Sequence, residues 1–310
     1  FGSRLQVGHS TRASGSFPAM ALWGVLALLP TVAMGGLHIP RKEIAPGVQM
    51  PVLSIGTWTE ASKRSDLNIS NIVGNWLDLG GVGIDTAFIY FTQADIARVI
   101  ARRGVDRKQL FITSKIPACM GKSLARYFID QDLKRLNTSY LDLLLIHAPG
   151  LNCAGTWAAM EEYQAQGKLK AIGVSNFNAK QVSSLLANAK VPPAVNQIEF
   201  NVYSRNDDTV AFCKEHNITI EAWSPLGDPA RTHTSVFSDP TVKAIAASHN
   251  VSAAQVALRW IVQKGHILTF LSSSREHQAN DADLFSFALE DEEVARLDGL
   301  KLGADKAFFV

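Results

Sequence analysis

The sequence predicts an α/β protein with a single domain, a (β/α)8 TIM barrel. After Pro40, short apolar segments alternate in an unbroken series with segments of helical period, about eight times over. The strand segments are continuous apolar runs, which is typical of parallel strands buried on both faces. The length of 310 residues suits such a barrel, because these barrels form single domains of about 250 residues.

A doubly wound parallel sheet is the alternative fold that the alternation leaves open. The Gly-x-Gly-x-x-Gly motif that opens a dinucleotide-binding domain of that kind is missing after the first strand segment. The barrel is therefore the favoured interpretation, and it extends over residues 41–310.

Each element is assigned from its period and its end signals. A helix is predicted over 65–79 because apolar residues such as Ile72 and Trp76 fall on one side and Gly80 ends it. Gly104 and Gly167 end two later helices in the same way. In chain order, the predicted strands are 52–57, 82–85, 110–114, 141–146, 169–174, 194–199, 218–223 and 267–271. The predicted helices are 65–79, 94–103, 123–135, 156–166, 179–189, 207–215, 240–249, 253–264, 281–287 and 291–297.

Composition excludes several classes of protein. The chain is 47% hydrophobic and 19% charged, which is ordinary for a globular protein with a large core. The net charge of +2 is too balanced to predict a nucleic-acid or acidic-lipid partner. The three cysteines, Cys119, Cys153 and Cys213, are an odd number without metal-ligand spacing. We therefore expect ordinary buried thiols and no disulfide framework.

The first forty residues are expected to form an N-terminal extension outside the barrel. Met20 begins an apolar run that ends in the small residues before Gly36, and the run is too short to span a bilayer. It resembles a secretory signal peptide; a flexible extension is the alternative. The protein is expected in the secretory pathway or an organelle if this segment is a signal, and in the cytoplasm otherwise.

Four Asn-x-Ser/Thr triplets would be glycosylation acceptors in a secreted protein, although such triplets are common by chance. They begin at Asn68, Asn137, Asn217 and Asn250. No membrane span is expected in the mature protein.

Three successive predicted strands end at a residue of catalytic type. Asp85, Lys115 and His147 occupy these ends, and Tyr90 follows Asp85 by five residues. The carboxyl ends of barrel strands meet at one rim, where such barrels build their active sites. Singly, each residue has an ordinary interpretation as a cap, a packing ring or a solvated charge. Four together on consecutive strand ends indicate a catalytic site.

These four side chains form a coherent proton donor. A phenol such as Tyr90 is a weak acid at neutral pH, and we expect a neighbouring Lys115 ammonium to lower its pKa. Asp85 would hold the lysine, and His147 would hydrogen-bond to a substrate oxygen. The assembly is suited to protonating a carbonyl oxygen. Since none of the side chains is a redox centre, a reduction would need a bound hydride donor.

Several motifs match those of a known family in order. They are Gly47-Val-Gln-Met-Pro-Val-Leu-Ser-Ile-Gly-Thr-Trp, Gly83-Ile-Asp-Thr-Ala-Phe-Ile-Tyr, Phe111-Ile-Thr-Ser-Lys, Leu144-Leu-Ile-His, Ala171-Ile-Gly-Val-Ser-Asn-Phe, Asn196-Gln-Ile-Glu and Ala222-Trp-Ser-Pro-Leu-Gly. From about residue 44 to residue 300 the chain resembles an aldo-keto reductase.

The resemblance implies an oxidoreductase that reduces aldehydes or ketones with NADPH, or with NADH as second choice. Tyr90 would be the general acid, Lys115 and Asp85 would tune it, and His147 would orient the substrate. Trp58 would form one wall of the substrate pocket together with Tyr90 and His147. The residues implied in cofactor binding are Thr57, Asp85, Ser175, Asn176, Gln197, Trp223, Ser224, Leu226, Ser272, Ser273, His277, Asn280 and Asp281. We expect a monomer that acts on a small-molecule carbonyl substrate.

The chain departs from the family at the expected phosphate clamp. The family has Lys and Arg where Leu271 and His277 stand here, and those two cations hold the 2′-phosphate of NADPH. Neither replacement matches the grip of Arg or Lys on a phosphate. Arg275 and the neighbouring serine hydroxyls would compensate, so NADPH stays the first choice. At the substrate end, Ala148 and the short segment after Leu300 predict an open pocket.

Two functions of different classes remain open. The first is a working carbonyl reductase, which the complete set of four residues favours. The second is a catalytically weak, cofactor-binding regulatory or sensor protein on the same barrel, which the altered clamp keeps open. Nicotinamide binding without turnover of any aldehyde would distinguish the second from the first.

Overall fold

The computed structural model describes residues 37–58, 68–228 and 234–300. Eight parallel strands close into a barrel in the order β3-β4-β5-β6-β7-β8-β9-β10, with β10 pairing back onto β3. The predicted TIM barrel is confirmed. The barrel strands are β3 Leu53–Gly56, β4 Gly83–Asp85, β5 Phe111–Ile116, β6 Leu141–Ile146, β7 Leu169–Ser175, β8 Val195–Glu199, β9 Thr219–Trp223 and β10 Ile267–Phe270.

The helices lie between the strands and after the last one. They are α1 Ile69–Asp78, α2 Gln93–Arg103, α3 Lys122–Arg135, α4 Cys153–Ala165, α5 Ala179–Leu186, α6 Asp207–Glu215, α7 Pro240–His249, α8 Ala253–Gln263, α9 Arg275–Ala282 and α10 Asp291–Asp298. Short 3-10 turns cover Phe88–Tyr90 and Arg107–Gln109. None of the helices in the described ranges is long and apolar enough to cross a membrane.

The core lies in the barrel wall and under the helices. Every residue of β5 and β6 is buried, which agrees with their high apolar content. The fully buried Trp76 of α1 packs edge-on against Phe270 and donates its Nε1 hydrogen to the Gly83 carbonyl at 2.8 Å. Gly81 must lack a side chain because a Cβ there would collide with the Trp76 ring.

Helix ends follow from short polar residues. Ser252 and Gln255 form a reciprocal capping box at the start of α8, and Asn178 and Gln181 form another at the start of α5. In each box, two backbone N–H groups at the start of the helix donate to side-chain oxygens, so neither lacks a partner. These caps place the helix starts close to their predicted positions.

Three asparagines of the glycosylation-like triplets have a structural role. Asn137, Asn217 and Asn250 adopt φ values of 50°, 56° and 53°, at or just after the ends of α3, α6 and α7. Asparagine tolerates this left-handed conformation better than most residues. Helix termination therefore explains these residues without reference to glycosylation.

An antiparallel hairpin precedes the barrel and was not among the predicted elements. Its strands are β1 Arg41–Ala45 and β2 Val48–Pro51. β1 is mostly polar and half-exposed, so it lacks the apolar run from which the other strands were predicted. The proposed boundary at residue 40 stays a prediction, and the signal-like segment 20–36 lies outside the described residues, as does the segment after Leu300.

The predicted helix over 281–287 is wrong. The helix in this region is α9, Arg275–Ala282, and 283–287 is irregular. Ser274 caps α9 by accepting a hydrogen bond from the His277 backbone N–H at 3.2 Å, and Asp283 leaves the helical conformation at ψ 67°. Phe285 and Phe287 of this irregular segment pack against the core.

The expectation of unpaired cysteines is also wrong. Cys119 and Cys153 form a disulfide, with Cα atoms 4.6 Å apart, and only Cys213 is free among the three. The pairing arises because β5 and β6 are neighbours, so the segments that follow them run side by side. The Cys119 N–H donates to the Ala148 carbonyl at 3.2 Å. The disulfide therefore joins the segments that follow two of the catalytic-type strand ends.

We predict that Cys119→Ser lowers the free energy of unfolding by about 2–4 kcal/mol, because it frees a link across 34 residues in the unfolded chain. Urea unfolding with and without a reductant measures the change. Cys153→Ser should give the same loss, and reductant should bring the wild type to the level of both variants. Equal stability of the oxidised and reduced wild type would contradict a structural role for this disulfide.

Candidate active site

The barrel delivers three of the four catalytic-type side chains from neighbouring strands. Asp85 ends β4, Lys115 lies near the end of β5, and His147 follows β6 directly. The parallel registers of β4 with β5 and β5 with β6 bring these ends to one rim. Tyr90 comes from the 3-10 turn after β4, and Phe91 closes that turn with a φ of 58°.

A buried ion pair lies at the centre of the site. The Lys115 ammonium donates to both Asp85 carboxylate oxygens at 2.7 and 2.8 Å and to the Thr86 carbonyl at 3.0 Å. The Gln197 amide donates to Asp85 Oδ2 at 2.9 Å. Lys115 is fully buried, and the negative charge of Asp85 is a main cause of its raised pKa despite the opposing effect of burial.

Tyr90 stands over this ion pair and beside His147. Its hydroxyl lies 3.5 Å from His147 Nε2, and the Lys115 ammonium is 5.0 Å from the centre of its ring. The half-exposed Trp58 ring packs against Tyr90 with 4.8 Å between ring centres. The Tyr90 side chain therefore has a cation, an imidazole and an indole as its neighbours.

Lys115 lowers the pKa of Tyr90 as expected, but this effect does not decide the net direction of the shift. Burial raises the pKa of the phenol, and the Lys115 charge lowers it by a smaller amount. The negative charge of Asp85 adds to the increase. Tyr90 is therefore a protonated phenol at neutral pH.

His147 is held neutral. Burial, and secondarily the Lys115 charge, lowers the pKa of the imidazole to about 3. Its Nδ1 atom is buried and has no hydrogen-bond partner within the described residues. A neutral imidazole keeps one donor and one acceptor nitrogen, so Nε2 is available to a group placed beside the Tyr90 hydroxyl.

A second polar cluster adjoins the ion pair on β7, β8 and β9. The Ser175 hydroxyl donates to the Gln197 carbonyl at 2.9 Å, and the Asn176 amide donates to the His147 carbonyl at 3.0 Å. The Trp223 indole donates to Asn176 Oδ1 at 2.9 Å. Because Gln197 also binds Asp85, this cluster is continuous with the ion pair.

The segment after β9 continues the rim. Ser224 adopts a φ of 47°, and the Asn201 amide donates to its carbonyl at 3.1 Å. Leu226 is partly exposed two residues further on. On the other side of the site, the Thr57 hydroxyl donates to the Asp85 carbonyl at 2.9 Å, so Thr57 supports β4 through the backbone.

The remaining predicted cofactor residues lie around α9. Ser272 and Ser274 shape the turn before the helix, while Ser273 and His277 are exposed. Asn280 is exposed, whereas Asp281 is buried, and burial raises its pKa to about 6. These residues form a cluster of their own, and no hydrogen bond in the described ranges joins them to the Asp85–Lys115 pair.

The observed side chains fit a nicotinamide. A carboxamide needs donors and an acceptor, and Ser175, Asn176 and Gln197 supply a hydroxyl and two amides side by side. The Trp223 ring is partly exposed and is fixed in orientation by its bond to Asn176, so it offers a flat apolar face. The fit is poorer at α9, where Leu271 is 37% exposed and brings no charge.

Sequence reasoning missed one acidic residue of this region, Glu221. It lies on β9 and is fully buried, and because it is two residues before Trp223 it lies on the same face of the strand. The signal was present, because a glutamate within the apolar run 218–223 is unusual for a buried strand. No cluster of His, Cys, Asp and Glu suited to a metal ion occurs within residues 37–58, 68–228 and 234–300.

Comparison with protein families decides the assignment. The model of the aldo/keto reductase family matches residues 52–301. The chain belongs to the aldo/keto reductase family. Two similar relatives are morphine 6-dehydrogenase of Pseudomonas putida, 35% identical over 86% of this chain and 94% of its own, and glyoxal reductase of Bacillus subtilis, 36% identical over 82% and 90%.

Solved aldo-keto reductases have the same fold. A silkworm (Bombyx mori) aldo-keto reductase in complex with NADP has a TM-score of 0.79 and is 28% identical, covering 86% of this chain and 94% of its own. A second silkworm aldo-keto reductase, complexed with NADPH, has a TM-score of 0.80 and is 29% identical, covering 86% and 88%. This aldo-keto reductase is therefore an oxidoreductase whose fold neighbours bind a nicotinamide cofactor.

Proposed function

We propose that the protein reduces aldehyde or ketone carbonyls to alcohols with NADPH, and that Tyr90 is the general acid. The observation that carries this proposal is the buried Lys115–Asp85 pair directly beneath a protonated Tyr90 phenol. When bound, the reduced nicotinamide supplies the hydride that the side chains lack. The chain's own residues then have to bind the carbonyl and deliver one proton to its oxygen.

Tyr90 and His147 bind the carbonyl oxygen in this proposal. The neutral His147 imidazole hydrogen-bonds to the oxygen and orients it toward the Tyr90 hydroxyl, 3.5 Å from Nε2. Tyr90 gives its proton to the oxygen as the alkoxide develops. The Lys115 ammonium stabilises the phenolate that remains, because its charge favours the ionised phenol.

Trp58 shapes the substrate pocket. Its indole is 49% exposed and contacts the Tyr90 ring, so it presents an apolar wall beside the proton donor. Relatives named for glyoxal and morphine support a small-molecule substrate. Ala148 follows His147 where the family often has the larger Trp, which supports an open pocket.

The cofactor would lie along the rim from β7 to α9. Ser175, Asn176 and Gln197 would hold the carboxamide, and Trp223 would stack on the nicotinamide ring. Ser224, Leu226 and Thr57 would border the rest of the nicotinamide half. Around α9, Ser272, Ser273 and His277 would bind near the 2′-phosphate, and Asn280 and Asp281 near the adenine. The NADP and NADPH complexes among the fold neighbours support NADPH over NADH.

A regulatory or sensor function stays as the second candidate. The observation that favours this function is the exposed Leu271, where the family has a lysine. Without that lysine the 2′-phosphate of NADPH would be bound weakly, which would reduce turnover when NADPH is limiting. Saturable binding of NADPH or NADH without turnover of any aldehyde would support this function against the first.

The compartment of the protein is also a proposal. The signal-like segment at 20–36 and the Cys119–Cys153 disulfide together support an oxidising compartment such as the secretory pathway, because disulfides persist there and are rare in the cytosol.

We predict that Tyr90→Phe lowers kcat for carbonyl reduction by about 10²- to 10⁴-fold, the range that a general acid contributes. The ring and its packing remain, so the dissociation constant of NADPH should change little. Steady-state kinetics on a panel of aldehydes and fluorescence titration measure the two effects. Tyr127→Phe, at an exposed tyrosine of α3, is the matched control and should keep full activity. A Tyr90→Phe enzyme with more than a few per cent of the activity would disprove the role of Tyr90.

We predict that Leu271→Lys tightens NADPH relative to NADH by about tenfold, because a hydrogen bond to a charged group contributes about 1.5 kcal/mol or more. Dissociation constants for both dinucleotides at fixed ionic strength give the ratio. Leu271→Met is the control of similar length without the charge, and it should leave the ratio unchanged. An unchanged ratio in the lysine variant would show that Leu271 does not face the 2′-phosphate.

A further inference from the structure

Glu221 is a buried carboxyl group that the proposed mechanism does not use. It lies in the middle of β9, where it is paired in register with Gln197 on β8 and with Ile267 on β10. None of its surface is exposed. A fully buried glutamate is rare unless it is paired with a cation or bonded to a metal, so its presence here needs an explanation.

Among the described residues, one cation, Lys115, interacts with both carboxyl groups, Asp85 and Glu221. Asp85 accepts hydrogen bonds from Lys115 on both oxygens and from Gln197 on one of them. Neither oxygen of Glu221 has a hydrogen-bond partner of normal geometry within the described residues. The Gln197 side chain is near enough to lower the pKa of Glu221, but its hydrogen bond of normal geometry is made to Asp85.

The groups that face Glu221 come from several elements. Asp85 on β4 and Lys115 on β5 are the charged groups that interact with it, and Gln197 on β8 is the polar one. Tyr90 from the turn after β4 also senses its charge. On β10, its register partner Ile267 is apolar.

These surroundings favour the protonated form of Glu221. Burial is the largest cause and the Asp85 charge the next, and they raise the pKa of Glu221 to about 8 against the smaller lowering by Gln197 and Lys115. Glu221 is therefore a neutral acid at neutral pH and leaves the Lys115 charge to Asp85 and Tyr90.

We propose that Glu221 is a positioning residue for the proton transfer, which acts through Lys115 and Tyr90. While it is protonated, the Lys115 charge is free to stabilise the Tyr90 phenolate that forms when the proton moves to the carbonyl oxygen. When Glu221 loses its own proton to solvent at alkaline pH, its negative charge opposes that phenolate and carbonyl reduction slows. The inference rests on the proposed reductase function and adds a determinant of its pH dependence.

The ionisation of Glu221 and that of Tyr90 can be separated by pH, because the pKa of Tyr90 is higher than that of Glu221. The pKa of the phenol is raised above its ordinary value of 10, whereas Glu221 titrates between neutral pH and that value. A loss of activity that begins near pH 8 would therefore belong to Glu221, and one that begins above pH 10 would belong to Tyr90.

The test compares the wild type with Glu221→Gln in the full chain. In the wild type, kcat/KM for an aldehyde with NADPH should fall between pH 7 and 9. The fall should be on the order of tenfold, because the ionised Glu221 adds one negative charge near Tyr90. The kcat/KM of the Glu221→Gln enzyme should stay within about twofold between pH 7 and 9.

Two further variants complete the test. Glu221→Met, which also lacks an ionisable group, replaces the glutamine variant if that variant folds poorly. Thr269→Val removes another buried, unpartnered oxygen of the barrel and should keep the wild-type profile.

Unfolding of the cofactor-free protein gives a readout without activity. The folded pKa of Glu221 lies above its ordinary value of 4.5, so the folded protein binds more protons than the unfolded chain between these two values. The wild type should therefore lose stability relative to Glu221→Gln as pH rises from about 4.5 to 8, and the difference should level off above that.

The outcomes separate this inference from the proposed function. A wild type that is inactive with NADPH and with NADH overturns the proposed function and this inference with it. An active wild type whose pH profile is parallel to that of Glu221→Gln overturns the inference alone. A stability difference that is constant from pH 5 to 9 also overturns it, because Glu221 would then be ionised throughout.

Discussion

The buried ion pair between Lys115 and Asp85 is the interaction on which the rest of the site depends. Taking two charges out of water is costly and is offset only where the geometry is good and the remaining hydrogen-bonding capacity is used. Here both carboxylate oxygens, the Thr86 carbonyl and the Gln197 amide are engaged. The pair therefore requires β4, β5 and β8 to keep their registers, and the closed barrel fixes those registers. The Cys119–Cys153 disulfide ties together the segments that follow β5 and β6.

Asp85, Tyr90 and Glu221 are all neighbours of one buried cation, Lys115. Asp85 takes the ammonium directly, so its neighbours Tyr90 and Glu221 stay protonated where burial disfavours their charged forms. A protonated phenol above a lysine is the resting state that a proton donor needs. His147 completes this arrangement as a neutral imidazole, because burial, and secondarily the Lys115 charge, lowers its pKa.

The sequence allowed the fold to be predicted well and the site in part. Apolar runs ending at Asp85, Lys115 and His147 reveal the strands and their shared rim, because the carboxyl ends of barrel strands meet there. The Cys119–Cys153 pairing and the raised Tyr90 pKa were missed, because both depend on distances and burial that emerge only when the barrel closes. β1 was not predicted because it is half-exposed and lacks an apolar run. The segment around Phe285 was predicted to be helical, but the helix ends at Ala282 and the segment is irregular.

Titration of the full-length protein with NADPH and with NADH, followed by tryptophan fluorescence, tests most directly whether this rim is a nicotinamide site. The nicotinamide is expected to stack on Trp223, whose indole is fixed by Asn176, so its fluorescence should be quenched. The account predicts saturable quenching by NADPH, weaker quenching by NADH, and a smaller amplitude in Trp223→Phe than in a Trp157→Phe control on α4, whose indole donates to the Val191 carbonyl. Absence of saturable quenching by either dinucleotide would contradict the account and remove the basis for a reductase.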